Sequence, residues 1–524
     1  MQFLQKQKKQ VAVCAVRQSR WRANLPLLTM KTRLLNFVVQ HRYVGGFMLL
    51  SLLLHILAAI VSTGYHQADE HFQILEPIGW KLGFYGSQDL AWEFTEKIRS
   101  GVQIFLGFAI GKALLWGGVY SPFMLTAILR QLTGLLWWAL TWAFYVKWKK
   151  QFLLPFQQKS LVVFCALLWF LPYLHVRYSS ESWGGLLFFF GLYVCLYFSK
   201  KEKDSFLSYL FGGLLMGLSF YFRFQMAFAI VGFLGWMFWY KKFNVSTFIG
   251  LLAGGLIAIT IGTLADYWLY SEWVLTHYNY FFQNIVAGKA AGFGTSPFYS
   301  YIPMFLEHAA LPISLLLLVL LLLGLWVGRK NPLTWVLVVF VFAHSAVAHK
   351  EFRFLFPMVA VIPLLLTYGL GIVHQWLEKR NPAIIKIFAR GFIVANVLLF
   401  GLSMAKPASE HESLFKAFYI VQKEHKNTKI AFTHKDPFDN GLQMNFFRYC
   451  SDCFYKWEER TVKGNSNDIY IYTRKLNELP NYAGTTTELE YSVAPIVSQT
   501  LNFGHWQERT NNGFLWHISS PKSE

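Results

Sequence analysis

A succession of long apolar runs, near 45–63, 102–120, 122–146, 159–174, 183–199, 206–222, 224–241, 245–267, 309–328, 333–348, 354–374 and 388–405, constrains this chain more than any other feature. Most approach the roughly 17–25 residues a helix needs to cross the hydrocarbon layer of a bilayer. The 524 residues are 55% hydrophobic, 18% aromatic and only 15% charged. Soluble domains average about 25% charged residues, so this much apolar surface exceeds what an ordinary core can bury. The runs predict an all-α polytopic membrane protein.

Charge sets its orientation. The formal net charge is +20, yet no acidic residue precedes Asp69, and the other basic clusters (Lys147-Trp148-Lys149-Lys150, Lys200-Lys201, Lys241-Lys242, Arg329-Lys330, Lys379-Arg380) fall in short connections. That is the positive-inside pattern rather than a nucleic-acid surface, and no nucleic-acid partner is expected. Residues 1–44 read as a basic cytoplasmic segment. Run 45–63 reads as a retained first span, because it lacks a small-residue cleavage site. The Lys147 cluster must also lie inside, which needs an odd number of crossings between 101 and 146. The weaker run 102–120, with Lys112 and several glycines, is therefore read as interfacial or re-entrant. About eleven transmembrane helices result. The outer connections are then 64–100, 175–182, 223, 268–308 and 349–353.

Beyond the membrane domain, 45–405, the composition changes. Glu412 to His425 reads as an amphipathic helix, and Lys429 to Thr433, Asp468 to Thr473 and Gly513 to Ile518 read as strands. This predicts a small α+β domain, 406–524, on the outer face. Cys450 and Cys453 form one isolated C-x-x-C, which suits a local disulfide better than a zinc site with half its ligands missing. The absence of an internal repeat argues against a transporter.

Charged groups at a bilayer edge are functional-site candidates by default, and here they share one face. The first outer loop supplies His66, Asp69, Glu70, Glu93 and Arg99. The second connection supplies Arg177 and Glu181, a tight turn supplies Arg223, and the last outer connection supplies His349, Lys350, Glu351 and Arg353. An acid for proton abstraction opposite a cationic group for a departing phosphate is a division of labour suited to phosphate-leaving-group chemistry. Each group has a structural alternative. Asp69 and Glu70 could form a solvated loop pair. Arg177 and Glu181 could be an i,i+4 pair joining two spans if that segment is helical. Lys350 and Arg353 could snorkel, although they lie where the positive-inside rule disfavours them. His66, Asp69 and His71 do not have the spacing of a compact zinc motif, and no metal is expected.

His66-Gln67-Ala68-Asp69-Glu70, with Phe72-Gln73 and Glu76-Pro77, resembles the H-x-D-E first-loop motif of glycosyltransferase family 22, with Gln67-Ala68 where the family has a single Pro. Trp92-Glu93-Phe94 and Ile98-Arg99-Ser100 are similar to its W-E-[WF] and [LI]-R-S segments. His349-Lys350-Glu351-Phe352-Arg353-Phe354 with Pro357 resembles its H-K-E-x-R-F-x-x-P motif, and Arg177 to Glu181 its R-x-x-S-x-x-E region. Gly294 to Tyr299 lacks the His and Trp of the family's G-x-H-P-W-H-W-Y loop.

The resemblance implies the GT-C architecture and an inverting, metal-independent mannosyltransferase without a cofactor. Its partners would be a polyprenyl (dolichyl) phosphate mannose donor, a lipid-linked glycan acceptor and membrane lipid. It implies Asp69 as general base, with Glu70 shaping the site, and His349, Lys350 and Arg353 as holders of the donor phosphate. His66, Glu93, Arg99, Arg177, Glu181 and Arg223 would support them. The first-loop carboxylates are expected near these cations but not paired to them. The alternatives are a GT-C transferase for another sugar and a lipid or glycan transporter. The one N-x-S/T sequon, Asn244-Val245-Ser246, falls on the inner side, which suits a bacterial inner membrane as well as an endoplasmic reticulum membrane.

Overall fold

The structure, a computed structural model, describes residues 30–198, 205–240, 244–378, 382–404, 408–424, 428–433, 436–439, 441–448, 454–456, 468–473, 486–492 and 513–519. The chain divides into two compact units, residues 1–50 and 51–524. The described part of the first is the opening of helix α1 (Met30–Val61).

The second unit is mostly helical. It contains α2 (Gly101–Trp116), α3 (Pro122–Trp148), α4 (Pro155–Leu167), α5 (Phe170–His175), α6 (Ser180–Tyr197), α7 (Ser205–Phe222), α8 (Met226–Tyr240), α9 (Val245–Tyr270), α10 (Ile313–Val327), α11 (Pro332–Ala346), α12 (Ile362–Glu378) and α13 (Pro382–Met404). The sequence marks many of their starts. Ser121 and Asn331 cap α3 and α11 with Pro at the next position, and Asn244 caps α9. These side chains accept N–H groups that the first turn leaves unpaired, and Pro has no such group to lose. Among the described residues, Arg42–Val61, Pro122–Gln151, Val245–Tyr270 and Phe352–Glu378 are long and apolar enough to cross a membrane, and further apolar helices are shorter. The protein is thus a membrane protein by its helices.

One run takes a shape the sequence did not suggest. The run 159–174 breaks after α4, where Leu168 turns extended (φ −63°, ψ 115°). The Trp169 N–H freed by the break donates to Asn396 Oδ1 of α13 at 3.2 Å; a broken apolar helix must satisfy its backbone in this way. Within 102–120, α2 is a regular 16-residue helix. Its start is tied to α9 by Asp266, whose Oδ1 accepts the Gly101 N–H at 2.7 Å and the Ser100 hydroxyl at 3.0 Å.

Glycines allow the helices to approach closely. A Cβ at Gly250 of α9 would lie 2.7 Å from Phe206 O of α7, and one at Gly185 of α6 would lie 2.6 Å from Pro357 O. Apolar helices in lipid associate through such small-residue contacts. The Gly185 contact also sets how closely the start of α6 lies against the 3₁₀ segment Phe352–Val361.

Connections meet in two separate sets. At one end, Asn331 approaches Gln151 and Tyr368 at 3.5 Å, and Trp236 Nε1 donates to Lys330 O at 2.9 Å. At the other, the 62–100 loop meets the connections at 177–181, 223 and 351–353. The C-terminal part joins this second end. Its helix α14 (Glu410–Glu424) packs on a sheet of β1 (Ile430–Phe432), β2 (Phe454–Lys456), β3 (Asp468–Thr473), β4 (Thr486–Ser492) and β5 (Phe514–Ser519), in order β2-β1-β3-β5-β4. β1 runs parallel to β2 and β3, while β5 is antiparallel to β3 and β4. Phe418 of α14 seals the contact against Phe454 and Tyr472. The predicted helix and strands are present within a residue or two at each end. Cys450 and Cys453 lie outside the described residues.

Candidate active site

The first loop is held in place before it reaches its acidic pair. Gly64 adopts φ +80° with Ser409 packed where a Cβ would sit, so both conformation and space call for glycine. Its N–H donates to Glu412 Oε2 at 2.7 Å and its carbonyl accepts from Arg177 Nη1 at 2.8 Å. Arg177 Nη2 also donates to the backbone and hydroxyl oxygens of Ser62. Glu412 in turn accepts two hydrogen bonds from the buried Arg130 of α3.

A helical segment then begins at Ala68–Glu70, widens to a π-helical stretch at His71–Leu75 and continues as Glu76–Leu82. Short π stretches inside helices are frequent at functional sites. Asp69 and Glu70 lie on its opening turn. Behind them, the fully buried His71 Nε2 meets Glu76 Oε1 at 2.7 Å, and the same oxygen accepts the Phe446 N–H of the C-terminal part at 3.1 Å. His66, Asp69 and His71 therefore go to three separate partners, with His66 Nδ1 at 2.9 Å from the Tyr173 hydroxyl.

The two carboxylates differ in surroundings. Asp69 keeps 38% of its side chain exposed, and its Oδ2 lies 2.7 Å from Arg353 Nη1. Glu70 is 12% exposed, accepts the His66 N–H at 3.1 Å and stands 3.8 Å from Arg177 Nη1. Burial pushes the Glu70 carboxyl up to about 7, against the pull of Arg177. The expectation that the first-loop acids stay unpaired fails for Asp69: the 3₁₀ segment aims Arg353 directly at it.

Arg353 joins the motifs. Its Nε and Nη2 grip both Glu351 oxygens at 2.7 and 2.9 Å, and Nη1 also reaches Glu181 Oε1 at 3.2 Å. Burial alone would raise the Glu351 carboxyl, but hydrogen bonding and charge from Arg353, with His349, hold it below the usual range. Glu181, on the first turn of α6, accepts from Arg223 Nη1 at 2.8 Å as well. It makes no i,i+4 pair with Arg177, because the chain between them is not helical and Ser179 is extended. The result is a continuous relay, Asp69–Arg353–Glu181–Arg223, drawn from four distant parts of the chain.

The remaining candidates surround this relay. His349 bridges Glu351 and Gly294 O, both at 3.1 Å. Lys350 Nζ donates to Ser296 O at 2.8 Å and Val347 O at 2.6 Å. Glu93 accepts from Gln73 at 3.1 Å and Arg99 at 3.4 Å, forming a second cluster that is not in direct contact with Asp69. The Arg130–Glu412 pair escaped the sequence reading; its only signals are an arginine inside an apolar run and a glutamate early in an amphipathic helix.

The family profile of the Alg9-like mannosyltransferases matches residues 47–435. The chain is 24% identical over 348 residues to the GPI alpha-1,2-mannosyltransferase 3 of Bos taurus, covering 62% of this chain and 58% of that one. It is 31% identical over 255 residues to a probable Dol-P-Man:Man(7)GlcNAc(2)-PP-Dol alpha-1,6-mannosyltransferase of Schizosaccharomyces pombe, covering 46% and 44%. With GPI mannosyltransferase 3 of Yarrowia lipolytica the identity is 27% over 362 residues, covering 64% of each. The match thus spans about half to two thirds of these relatives' length. On the profile match over most of its length, this chain belongs to the Alg9-like mannosyltransferase family.

Proposed function

We propose that this chain transfers a mannosyl group, with inversion, from a polyprenyl-phosphate mannose to a hydroxyl of a lipid-linked glycan, at the membrane face where its motif-bearing connections gather. The names of the relatives support the reaction class and the donor. The observation that carries the site is the 2.7 Å contact between Asp69 and Arg353, which joins the first-loop acid to the cation of the last outer connection.

Asp69 is the base. It is the more open of the two adjacent carboxylates, so an acceptor hydroxyl can reach it, while Glu70 is enclosed beside Arg177. The acceptor O–H gives its proton to Asp69, the oxygen forms the new bond to the anomeric carbon, and the bond to the phosphate oxygen breaks with its electron pair. Among the described residues the ion pairs of Arg353 all go to acidic groups, with the Phe354 ring beside it, so an incoming phosphodiester would compete with Asp69 for Nη1. Donor binding would thereby release Asp69 to accept the acceptor's proton. His349, which shares Glu351 with Arg353, and Lys350, which donates to Ser296 O and Val347 O, would meet the charge that grows on the departing phosphate; such contacts strengthen as charge develops. Glu181 would then keep Arg353 oriented.

The test is transfer of radiolabelled mannose from polyprenyl-phosphate mannose into extracted membrane lipids by the purified full-length protein. Label in a glycolipid product supports the reading; hydrolysis alone, or acceptance of another sugar in preference, overturns it.

A further inference from the structure

The C-terminal part takes no step in the proposed reaction, yet it grips the loop that carries Asp69 at two places. The first is Gly64, whose N–H donates to Glu412 Oε2 at 2.7 Å while its carbonyl accepts from Arg177 Nη1 at 2.8 Å. One residue is thus held from both sides, by α14 and by the second connection. Beside it, the Ser409 N–H donates to Thr63 O at 3.1 Å, and the Thr63 and Ser413 hydroxyls meet at 2.9 Å. The second hold lies behind the acidic pair. There Glu76 Oε1 accepts the Phe446 N–H at 3.1 Å, and the Phe447 ring stacks on His71 with centroids 5.5 Å apart. Asp69 and Glu70 sit in the stretch between these two holds.

Glu412 is a fixed point for the first hold. It is buried near the start of α14, where a helix favours negative charge. Its Oε1 accepts from the Thr126 hydroxyl at 2.9 Å and from Arg130 Nη1 at 3.0 Å, and its Oε2 accepts from the same Nη1 at 2.8 Å. Burial alone would raise its carboxyl, but Arg130 and these hydrogen bonds hold it below the usual range. Arg130 also donates from Nε to Ala59 O at 3.0 Å, near the end of α1. Phe415, on the same helix, stacks on Phe438 at 4.1 Å and anchors α14 to the C-terminal part. A buried ion pair could serve stability alone. Glu412 does more, because one of its hydrogen bonds crosses to the backbone of the loop, at the residue whose carbonyl Arg177 takes, and Arg177 stands 3.8 Å from Glu70.

We propose that Glu412 is a positioning residue for the transfer: through Gly64 it sets where the first loop holds Asp69, and the C-terminal part is thereby a working piece of the active site. The inference rests on the proposed function for what Asp69 does, but not for the hold itself.

The experiment measures mannose-transfer kinetics and backbone hydrogen exchange on the full-length protein in detergent, for wild type, Glu412→Ala and Gly64→Ala, each with Asp69 intact and as Asp69→Asn. Glu412→Ala removes the hold. Gly64→Ala keeps the buried ion pair and instead drives a Cβ into Ser409, whose carbonyl oxygen would lie 2.6 Å away. Misplacing a reacting group by about 1 Å can cost about 10²-fold, so each variant should lower kcat roughly 10- to 100-fold. The donor KM should stay within roughly threefold of wild type, because His349, Lys350 and Arg353 lie on another connection. In the Asp69→Asn background there is no base to place, and neither substitution should lower the residual rate more than about twofold. An equal loss in both backgrounds, or a loss carried by the donor KM, would mean a general structural role and overturn the inference, as would wild-type kcat in Glu412→Ala. If Glu412→Ala does not fold, Gly64→Ala carries the test on the same terms. Hydrogen exchange separates the hold from the reaction. Amides of residues 64–76 should exchange faster in either variant than in wild type while those of 352–361 keep their rates; unchanged loop exchange would overturn the inference. A loosened loop in a protein whose wild type transfers no mannose would leave the hold standing and remove the proposed function. Wild-type kcat with a loosened loop would do the reverse.

Discussion

The two ends of the helical unit use charge in opposite ways. At one end, Lys147 lies over the Tyr197 ring, Lys149 over Tyr145 and Arg329 over Trp326, and Arg329 donates to a local carbonyl. None of these four contacts has an acidic partner. At the other end, Arg353, Arg223, Arg177 and Arg130 are buried, and each faces carboxylates supplied by distant segments. Buried charges are expensive unless paired, whereas a lysine at an interface keeps its head in water over an apolar stem. The first end carries the basic clusters expected to set orientation. The second keeps a costly arrangement of paired charges, which is where chemistry is expected.

Predictions that break or sharpen this contrast run from large to small. Asp69→Asn should lower transfer by about 10²–10⁴-fold, the usual contribution of general-base assistance, with expression and donor binding retained. Radiolabel transfer and a donor-binding assay check this together, and a near-normal rate would move the role to Glu70. Arg353→Ala should weaken donor binding and slow transfer together. Arg353→Lys should recover only part of each, because an ammonium cannot reproduce the guanidinium fork. Full recovery by lysine would reduce Arg353 to a point charge.

Glu70 gives a smaller, pH-dependent effect. Its folded-state pKa is raised to about 7, so the folded protein keeps a proton that the unfolded chain has already released above its ordinary value. Stability from this group is complete below the unfolded value and is lost as pH rises through about 7. Glu70→Gln should therefore be more heat-stable than wild type at pH 8, by something on the order of 1–3 kcal/mol, with the gap closing toward pH 5. Melting curves across that range decide it; a gap that does not vary with pH would contradict the burial argument. At the opposite end, Lys149→Ala and Arg329→Ala should leave transfer within roughly twofold of wild type. A loss in either would break the division between the two ends.

The sequence carried the helical class, the C-terminal helix and strands, and the residues of both main motifs. Length and apolarity dictate the first; amphipathic periodicity marks the helix of the second, and β-branched and aromatic content its strands. The number of spans was less legible, because many apolar helices here are short and 159–174 hides a break whose freed N–H is met by Asn396 of a distant helix. Pairings across the chain were hidden altogether. Arg353 reaches Asp69 across packing in which the Pro357 backbone lies close against Gly185 of α6, and nothing in the spacing of residues 69, 181, 223 and 353 announces it. The i,i+4 alternative for Arg177 and Glu181 assumed helix where the chain is extended, and Arg177 serves the backbone of 62–64 instead.

The central claim is that the first loop and the last outer connection form one site through Asp69 and Arg353. A double-mutant cycle on kcat/KM, with Asp69→Asn, Arg353→Lys and the double variant, tests it most directly. Residues that act as a unit are strongly non-additive. The double variant should therefore lose little more than the worse single variant. Losses that multiply, with no coupling between the two positions, would mean that Asp69 and Arg353 act independently, and would contradict the account.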